Sequence, residues 1–318
     1  MDADILPYVG KCAALAASVI WSCSISLYRY HGDGVPAQTL NLYKLFVALI
    51  GFSLIVAGLN LFQSFGWVSS APKFPASWQK SGWLMLSGVI GLTIGDTLFF
   101  FAIRHLGAAL TSALQCLTPP LNALIDWYFL DKPMTGIQVL GLTVIVLSVA
   151  GVILSQAPKS TDSDKNRNWM LGVLAAVAAA VCSAIGFAIT GYHVKDENIF
   201  ACNVLRVAPS FAVLLFLAIF TSAGRAGVRF LVSHTSKLLW LALAAFLGTL
   251  LGISFLSYAF QHADTGIVST LSTTYPIFVI PIAAVFLKEY PKIRQVFLTL
   301  LAIVGIALLM LPSSFWTR

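Results

Sequence analysis

The chain has 318 residues, of which 58% are hydrophobic and only 10% are charged. Soluble domains carry about 25% charged residues, so this composition excludes an ordinary soluble protein and indicates one that spans a membrane several times. The formal net charge of +7 comes from basic residues scattered through short loops, and no basic domain could hold a nucleic acid.

Apolar stretches about 20 residues long recur throughout the chain, and each is sufficient to cross a hydrocarbon core about 30 Å thick. The N-terminal residues lack the basic region and cleavage site of a signal peptide, so we expect the first span to be retained. The sequence predicts an all-α integral membrane protein with ten transmembrane helices, at residues 10–28, 39–58, 82–103, 107–130, 136–155, 169–191, 199–220, 238–260, 265–287 and 293–312.

The five cysteines lie in or beside these spans without the spacing of metal ligands. They are interpreted as small buried hydrophobic residues, and neither a metal nor another cofactor is predicted. No motif of a known intramembrane enzyme occurs, since the sequence lacks H-E-x-x-H, G-x-S-x-G and a paired-carboxylate arrangement.

The two halves of the chain repeat each other at a shift of 157 positions (252 minus 95). Proline matched to proline inside an apolar span is rare by chance, which favours a true repeat. Residues 8–155 are predicted to form one five-helix repeat and residues 169–312 a second, inverted one, joined by a polar linker at 156–168. The identical pairs are Gly95/Gly252, Ala102/Ala259, His105/His262, Ser112/Ser269, Leu114/Leu271, Pro119/Pro276, Ile125/Ile282, Phe129/Phe286, Leu130/Leu287 and Gln138/Gln295.

Two segments carry a resemblance to a known family: GDTLFFFAIRHLGAALTSALQCLTPPLNALIDWYFLDKPMTGIQ at 95–138 and AFQHADTGIVSTLSTTYPIFVIPIAAVFLKEYPKIRQ at 259–295. Each has a small-residue turn, a span with a central proline and a short charged turn. The chain resembles the EamA-type transporters of the drug/metabolite transporter (DMT) superfamily. Glu289 keeps the family's glutamate in that turn, whereas the first half has Asp131 and Lys132 there.

Four ionisable residues fall inside predicted spans, where they are costly and are candidates for function: Lys44, Asp96, Asp126 and Arg206. Lys44 and Asp96 lie at similar depth in antiparallel neighbouring spans, so the sequence predicts an ion pair or a shared hydrogen-bond network. That pair either locks two helices together or forms part of a substrate or proton site. Asp96 is the candidate proton-coupling group, because a carboxylate removed from water can exchange protons near neutral pH.

Arg206 differs from Lys44 because the position that matches Asp96 in the second half is Ile253. The guanidinium stays charged, so it needs carbonyl, hydroxyl, lipid phosphate or substrate oxygens. One interpretation is that Arg206 snorkels to the membrane surface, since it lies within two turns of the start of its span. The other is that it binds a carboxylate or phosphate of a substrate. Asn41 and Asn203 each precede one of these basic residues by three positions.

A polar stripe runs along the fourth predicted span at steps of three or four residues: Thr111/Ser112, Gln115, Thr118/Pro119, Asn122 and Asp126. Such a stripe cannot face lipid, so it lines a solute path or supplies hydrogen bonds between helices. The ninth span repeats part of it with Ser269, Ser272 and Pro276.

The prolines of these two spans, Pro119, Pro120 and Pro276, are predicted to break both helices and to mark a midplane site where the spans meet. A kink that serves packing alone is the alternative. The candidates for aromatic walls are Trp21, Tyr43, Tyr258 and Tyr275.

The predicted function is a secondary transporter of small polar metabolites, such as amino acids or related organic ions, that works by alternating access. The alternative is a non-transport membrane protein, either a lipid-handling protein or an intramembrane enzyme. The expected partners are a small-molecule substrate, the lipid bilayer and protons as a candidate coupling ion, with the chain acting as a monomer or homodimer.

The resemblance implies export, a bacterial inner membrane and cytoplasmic termini. The loops on the opposite side carry more Lys and Arg, so the positive-inside rule favours the reverse orientation.

Overall fold

The computed structural model describes residues 6–65, 67, 72–129, 134–157 and 163–309, and within these ranges the chain is helical with short connections and no strand. The predicted charged pair Asp131 and Lys132 lies outside the described residues. The first half contains α1 (Leu6–His31), α2 (Ala37–Ser64), α3 (Trp78–Gly88), α4 (Asp96–Leu106), α5 (Ala108–Leu114), α6 (Thr118–Phe129) and α7 (Gly136–Gln156).

The second half contains α8 (Ser163–His193), α9 (Ile199–Phe220), α10 (Ser222–Ser233), α11 (Thr235–Ala245), α12 (Ile253–His262), α13 (Thr265–Ser272), α14 (Pro276–Phe286) and α15 (Ile293–Leu309). Asn198 starts α9, and its side chain accepts hydrogen bonds from two backbone N–H groups of the first turn. Thr135 and Gln138 form a capping box at the start of α7.

A π-helical segment joins two helices in each half. Residues Val89–Gly95 connect α3 to α4, and residues Phe246–Gly252 connect α11 to α12. The two segments lie at the same repeat shift of 157 positions (246 minus 89), although their letters are mostly different. Single-turn π segments are rare and are often found at functional sites.

Eight helical runs among the described residues are long and apolar enough to cross a membrane, and α15 is a shorter apolar helix. The predicted count of ten is therefore not confirmed. The predicted fourth span, 107–130, consists of α5, a 3₁₀ turn at Gln115–Leu117 and α6, because two consecutive prolines prevent one regular helix. The predicted tenth span, 293–312, is described only as far as Leu309.

Two further details differ from the sequence-based expectation. The helix α8 begins at Ser163, inside the predicted linker, because polar residues can extend a transmembrane helix into the headgroup region. The short helix α10 was not predicted. Thr221 caps it, and its buried face is formed by Gly224, Gly227 and Leu231.

The packing repeats between the halves. Helix α1 packs against the α11–α12 run, and α8 packs against the α3–α4 run in the same way. Helices α2 and α9 lie side by side, and α7 packs along α15. A Cβ atom on Gly141 would lie 2.7 Å from the carbonyl oxygen of Gly305, so the absence of a side chain there permits close contact of α7 and α15.

The outer surface of this bundle is apolar, as lipid contact requires. Leu147 and Leu154 on α7, for example, are largely exposed. The prediction that all five cysteines are buried is wrong for Cys12 and Cys23, which are exposed. Because lipid is as apolar as a protein core, these two thiols need no burial within the protein.

Candidate functional site

A cavity lies between the two halves of the bundle. Its volume is about 130 Å³, which is room for several waters or a small organic molecule. Residues of α7 and α15 do not line it, whereas both π segments and the broken α5–α6 and α13–α14 runs do. The lining residues are Trp21, Ser24, Ile25, Tyr28, Lys44, Gly91, Leu92, Asp96, Phe99, Phe100, Gln115, Thr118, Ser183, Gly186, Phe187, Arg206, Gly248, Thr249, Ile253, Leu256, Thr273 and Tyr275.

Lys44 and Asp96 form an ion pair in the wall of this cavity, which confirms the predicted pairing. Lys44 is only 5% exposed, and its ammonium also lies 5.5 Å from the centroid of the Phe100 ring. The carboxylate of Asp96 is more open, at 29% side-chain exposure. Asp96 is the first residue after the π segment of the first half, so the irregular turn directs it toward α2.

Arg206 is buried within the bundle and is 2% exposed. Its Nε–H donates to Ser87 Oγ at 3.1 Å, and Nη1 donates to Asn203 Oδ1 at 3.4 Å. Among the described residues, no carboxylate lies within ion-pair distance of the guanidinium. The alternative that Arg206 snorkels to the membrane surface is therefore wrong, because close packing of α3 on α9 holds the side chain inside.

Gly88 makes this close packing possible. A Cβ atom at Gly88 would lie 2.0 Å from the carbonyl oxygen of Arg206, which is well inside van der Waals contact. Only a glycine lets the backbones of α3 and α9 come this near. The contact brings Ser87, the neighbour of Gly88, within hydrogen-bond reach of Arg206.

Asn41 and Asn203 do not line the cavity, but each forms a hydrogen bond with a residue that does. Asn41 Nδ2 donates to the carbonyl oxygens of Leu92 and Thr93 and to Thr97 Oγ1, and so satisfies backbone groups of the first π segment. Asn203 Oδ1 accepts from Arg206 and from Ser257 Oγ. Asn41 therefore supports the first π segment, whereas Asn203 links Arg206 on α9 to Ser257 on α12.

Aromatic side chains form one wall, as predicted for Trp21 and Tyr275, whereas the other two candidates, Tyr43 and Tyr258, do not line the cavity. Trp21 Nε1 donates to the carbonyl oxygen of Gly248 at 2.8 Å. Its ring stacks on Phe187, with centroids 6.2 Å apart, and meets Tyr275 edge-on at 6.3 Å. A Cβ on Gly252 would lie 2.5 Å from Trp21 Nε1, so this glycine leaves room for the indole.

The polar stripe of the fourth predicted span divides between two roles. Gln115 and Thr118 line the cavity, and Gln115 Nε2 also donates to the Ala176 carbonyl oxygen at 3.0 Å. Asn122 instead donates to Ser269 Oγ across the two halves. Ser272 is buried and donates to the Ser269 carbonyl oxygen. Asn122 thus serves a contact between the two broken spans, whereas the buried hydroxyls of Thr111 and Ser112 have no hydrogen-bond partner among the described residues.

The three prolines that were predicted to break the spans, Pro119, Pro120 and Pro276, lie at helix starts and not in helix interiors. Pro119 and Pro120 lie in the first turn of α6, and Pro276 is the first residue of α14. Backbone N–H groups in the first turn of a helix have no acceptor within the helix, so proline's lack of an N–H group removes no helical hydrogen bond there. The Asn122–Ser269 hydrogen bond shows that the two broken spans do meet, as the sequence predicts.

Several lining residues were not identified from the sequence, among them Tyr28, Phe100 and Phe187. They are apolar or aromatic residues in apolar helices, and nothing in their spacing distinguishes a cavity wall from a lipid-facing surface. Within the described residues, no group of three or more His, Cys, Asp or Glu could hold a metal ion.

The sequence profile of the EamA-like transporter family matches residues 9–154 and again residues 170–311. No curated protein matches the sequence. Among solved structures 28 chains match. One of them, a crystal structure, has a TM-score of 0.63 and 16% sequence identity over 97% of this chain and 99% of its own. At this identity the likeness concerns the fold alone.

The two profile matches cover nearly the whole chain, and each takes one half of the bundle. They confirm the resemblance that the repeated segments predict. With the apolar helices of the bundle, they define an integral, multi-pass membrane transporter of the DMT type. The chain belongs to the EamA-like transporter family.

Proposed function

We propose that this protein is a secondary transporter that moves small polar metabolites, such as amino acids or related organic ions, through its central cavity. The observation that carries the proposal is Arg206, a buried cation in a wall built by both halves, with guanidinium N–H groups that no described protein atom accepts. A permanent charge in such a place is costly unless a partner with oxygen atoms visits it.

Alternating access is the mechanism that we infer for this transport. Two ion pairs join the halves on opposite sides of the cavity: Arg29 with Glu289, and Lys80 with Glu197. Arg29 lies in the last turn of α1 and Lys80 in the first turn of α3, so the two ion pairs lie at opposite ends of the bundle. Opening the cavity to one side of the membrane requires the ion pair on that side to break. This is consistent with two inverted repeats that can exchange conformations.

Asp96 is the proposed proton-coupling residue. It is the acidic group of the cavity wall, and its partner Lys44 is buried. Proton binding to Asp96 would cancel the ion pair and release the ammonium toward the cavity, which changes the charge that a substrate meets. The resemblance favours export across a bacterial inner membrane, by a monomer or homodimer.

Solute counterflow in proteoliposomes tests the proposal. Vesicles loaded with a mixture of unlabelled amino acids and organic acids should accumulate the labelled substrate, and Arg206→Gln should lower the initial rate at least about tenfold. Arg225→Gln is the matched control, because Arg225 lies exposed on α10, away from the cavity, and donates to the Ile219 carbonyl oxygen. Equal loss in both variants, or none in either, would contradict a role for Arg206 in transport.

A further inference from the structure

Lys44 and Arg206 occupy matching places in the two halves. Each follows an asparagine by three residues, on the second helix of its half, and both side chains line the cavity. Their surroundings differ at one position. The first residue after the π segment is Asp96 in the first half and Ile253 in the second. The Lys44 ammonium therefore has a carboxylate partner. At the matching position of the second half, the Arg206 guanidinium has only the isoleucine side chain of Ile253.

The cavity wall consequently carries an excess of positive charge. Three lining residues have side chains with a formal charge: Lys44, Arg206 and Asp96. The Lys44–Asp96 pair is neutral as a unit, which leaves the single charge of Arg206. A ligand with one negative charge would make the occupied cavity neutral, whereas a zwitterion would leave the excess in place.

The guanidinium is already oriented for such a ligand. Ser87 and Asn203 fix Nε and one Nη1–H, and Ser257 holds the Asn203 oxygen in turn at 3.2 Å. This leaves three of the five guanidinium N–H groups without an acceptor among the described residues. Their planar fork matches the two oxygens of a carboxylate better than any other arrangement of donors in this cavity.

Most of the remaining wall suits an apolar body, although hydroxyl side chains and the Gln115 amide also line it. Trp21, Phe187, Tyr275 and Leu256 provide aromatic and aliphatic surface. The carboxylate that could receive a substrate ammonium is Asp96, and it is already paired with Lys44. A free ammonium in the cavity would have to displace a buried lysine.

We propose that the substrate is a monoanionic carboxylate with an apolar body, and that its carboxylate binds Arg206 at the place where the second half lacks an acidic residue. This inference rests on the proposed transport function and narrows its substrate class from polar metabolites in general to organic acids of net charge −1. The two halves have matching helices and matching basic residues. The difference between Asp96 and Ile253 at one position then determines the charge of the substrate.

A matched set of probes tests the class by thermal shift on the purified full-length protein. The set comprises 3-phenylpropionate, its neutral amide, the zwitterion phenylalanine on the same skeleton, and phenyl phosphate with nearly two negative charges. We expect 3-phenylpropionate to raise the unfolding temperature in a saturable way, since a ligand that binds the native state stabilises it. The other three should shift it less at equal concentration.

Substitutions at Arg206 and at Ile253 test the proposed binding site directly. Arg206→Gln should raise the apparent dissociation constant of 3-phenylpropionate roughly tenfold to a hundredfold, and Arg206→Lys should recover part of that loss. Ile253→Asp supplies the missing carboxylate and should abolish binding of the anion. Ile253→Asn, of similar size to Ile253→Asp but uncharged, should weaken binding less than Ile253→Asp does. Arg225→Gln, on the exposed face of α10, should stay within about threefold of the wild type. If Ile253→Asp fails to fold, the two Arg206 variants decide.

Three results would overturn the assignment: a larger shift from phenylalanine, the amide or phenyl phosphate, an unchanged response in Arg206→Gln, or no shift from 3-phenylpropionate. Counterflow of labelled phenylalanine in any of these cases would leave secondary transport standing and reject the anion class alone. Counterflow of none of the amino acids or organic acids would reject the transport function as well.

Discussion

At the scale of single residues, the site depends on which groups bind the two buried cationic side chains, Lys44 and Arg206. Lys44 has Asp96, whereas Arg206 has a hydroxyl, an amide oxygen and an open cavity. Removing one partner of a buried ion pair leaves an uncompensated charge, which costs more than the pair itself contributes. The two residues should therefore respond differently to neutralising substitutions.

Asp96→Asn should abolish any pH-driven transport, because the variant has no proton to bind at this position. It should also destabilise the fold by about 1–3 kcal/mol, since Lys44 loses its partner. The double variant Lys44→Met/Asp96→Asn should recover the stability but not the pH dependence. Uptake driven by an imposed pH gradient and thermal unfolding in detergent measure the two effects separately. pH-driven uptake by Asp96→Asn at the wild-type rate would contradict proton coupling here.

Part of this site could be predicted from the sequence. The rarity of charge in apolar spans drew attention to Lys44, Asp96 and Arg206, and antiparallel neighbours at equal depth predicted the ion pair. The Ser87 contact of Arg206 could not be predicted, because it depends on the backbone approach at Gly88. Aromatic wall residues such as Tyr28 were missed since, in a membrane protein, apolar side chains face lipid, core and cavity alike.

At the scale of helices, the π segments are the feature that shapes the cavity. Each supplies lining residues and each is followed directly by one of the two residues that set the charge asymmetry, Asp96 and Ile253. Hydropathy does not reveal such segments, because an apolar helix keeps its composition whether its hydrogen bonds are α or π. The breaks in the fourth and ninth predicted spans could be predicted, because proline lacks a backbone N–H group and so removes a helical hydrogen bond where it occurs in a helix interior.

Gly88→Ala tests the helix contact on which the Arg206 geometry depends. The added Cβ would lie 2.0 Å from the Arg206 carbonyl oxygen, so α3 and α9 must separate. We expect destabilisation of about 1–3 kcal/mol, as for overpacking in a core, and loss of substrate binding. Gly82→Ala on the same helix is the control, since a Cβ there meets nothing within 4 Å.

Gly82→Ala should leave binding unchanged and should stabilise the helix slightly, because alanine is a better helix former than glycine. Thermal unfolding and ligand titration of both variants provide the comparison. Wild-type stability and binding in Gly88→Ala would show that the α3–α9 contact does not position Arg206.

At the scale of the whole molecule, the chain is two similar halves around one cavity. The repeat was predictable because matched prolines, histidines and glycines recur at a constant shift. Even helix-end contacts repeat: His105 and His262 each bond the carbonyl oxygen four residues earlier. The ten-helix count was less secure, because the fourth and tenth spans are interrupted or short. The amphipathic α10 escaped prediction since it is neither apolar enough for a span nor clearly a loop.

We propose above all that this cavity opens alternately to the two sides of the membrane. Ser183 lines the cavity, whereas Ser257 is buried between helices and is absent from the lining. Single cysteines at these positions, in a chain whose five native cysteines are replaced by serine or alanine, report on access from each side.

The decisive measurement is the labelling rate of Ser183→Cys by a membrane-impermeant thiol reagent, in right-side-out and in inside-out vesicles. Alternating access predicts that Ser183→Cys is labelled from both sides, and that transported substrate slows the labelling, while Ser257→Cys stays unlabelled. Labelling of Ser183→Cys from one side only, with no effect of any transported solute, would contradict the account.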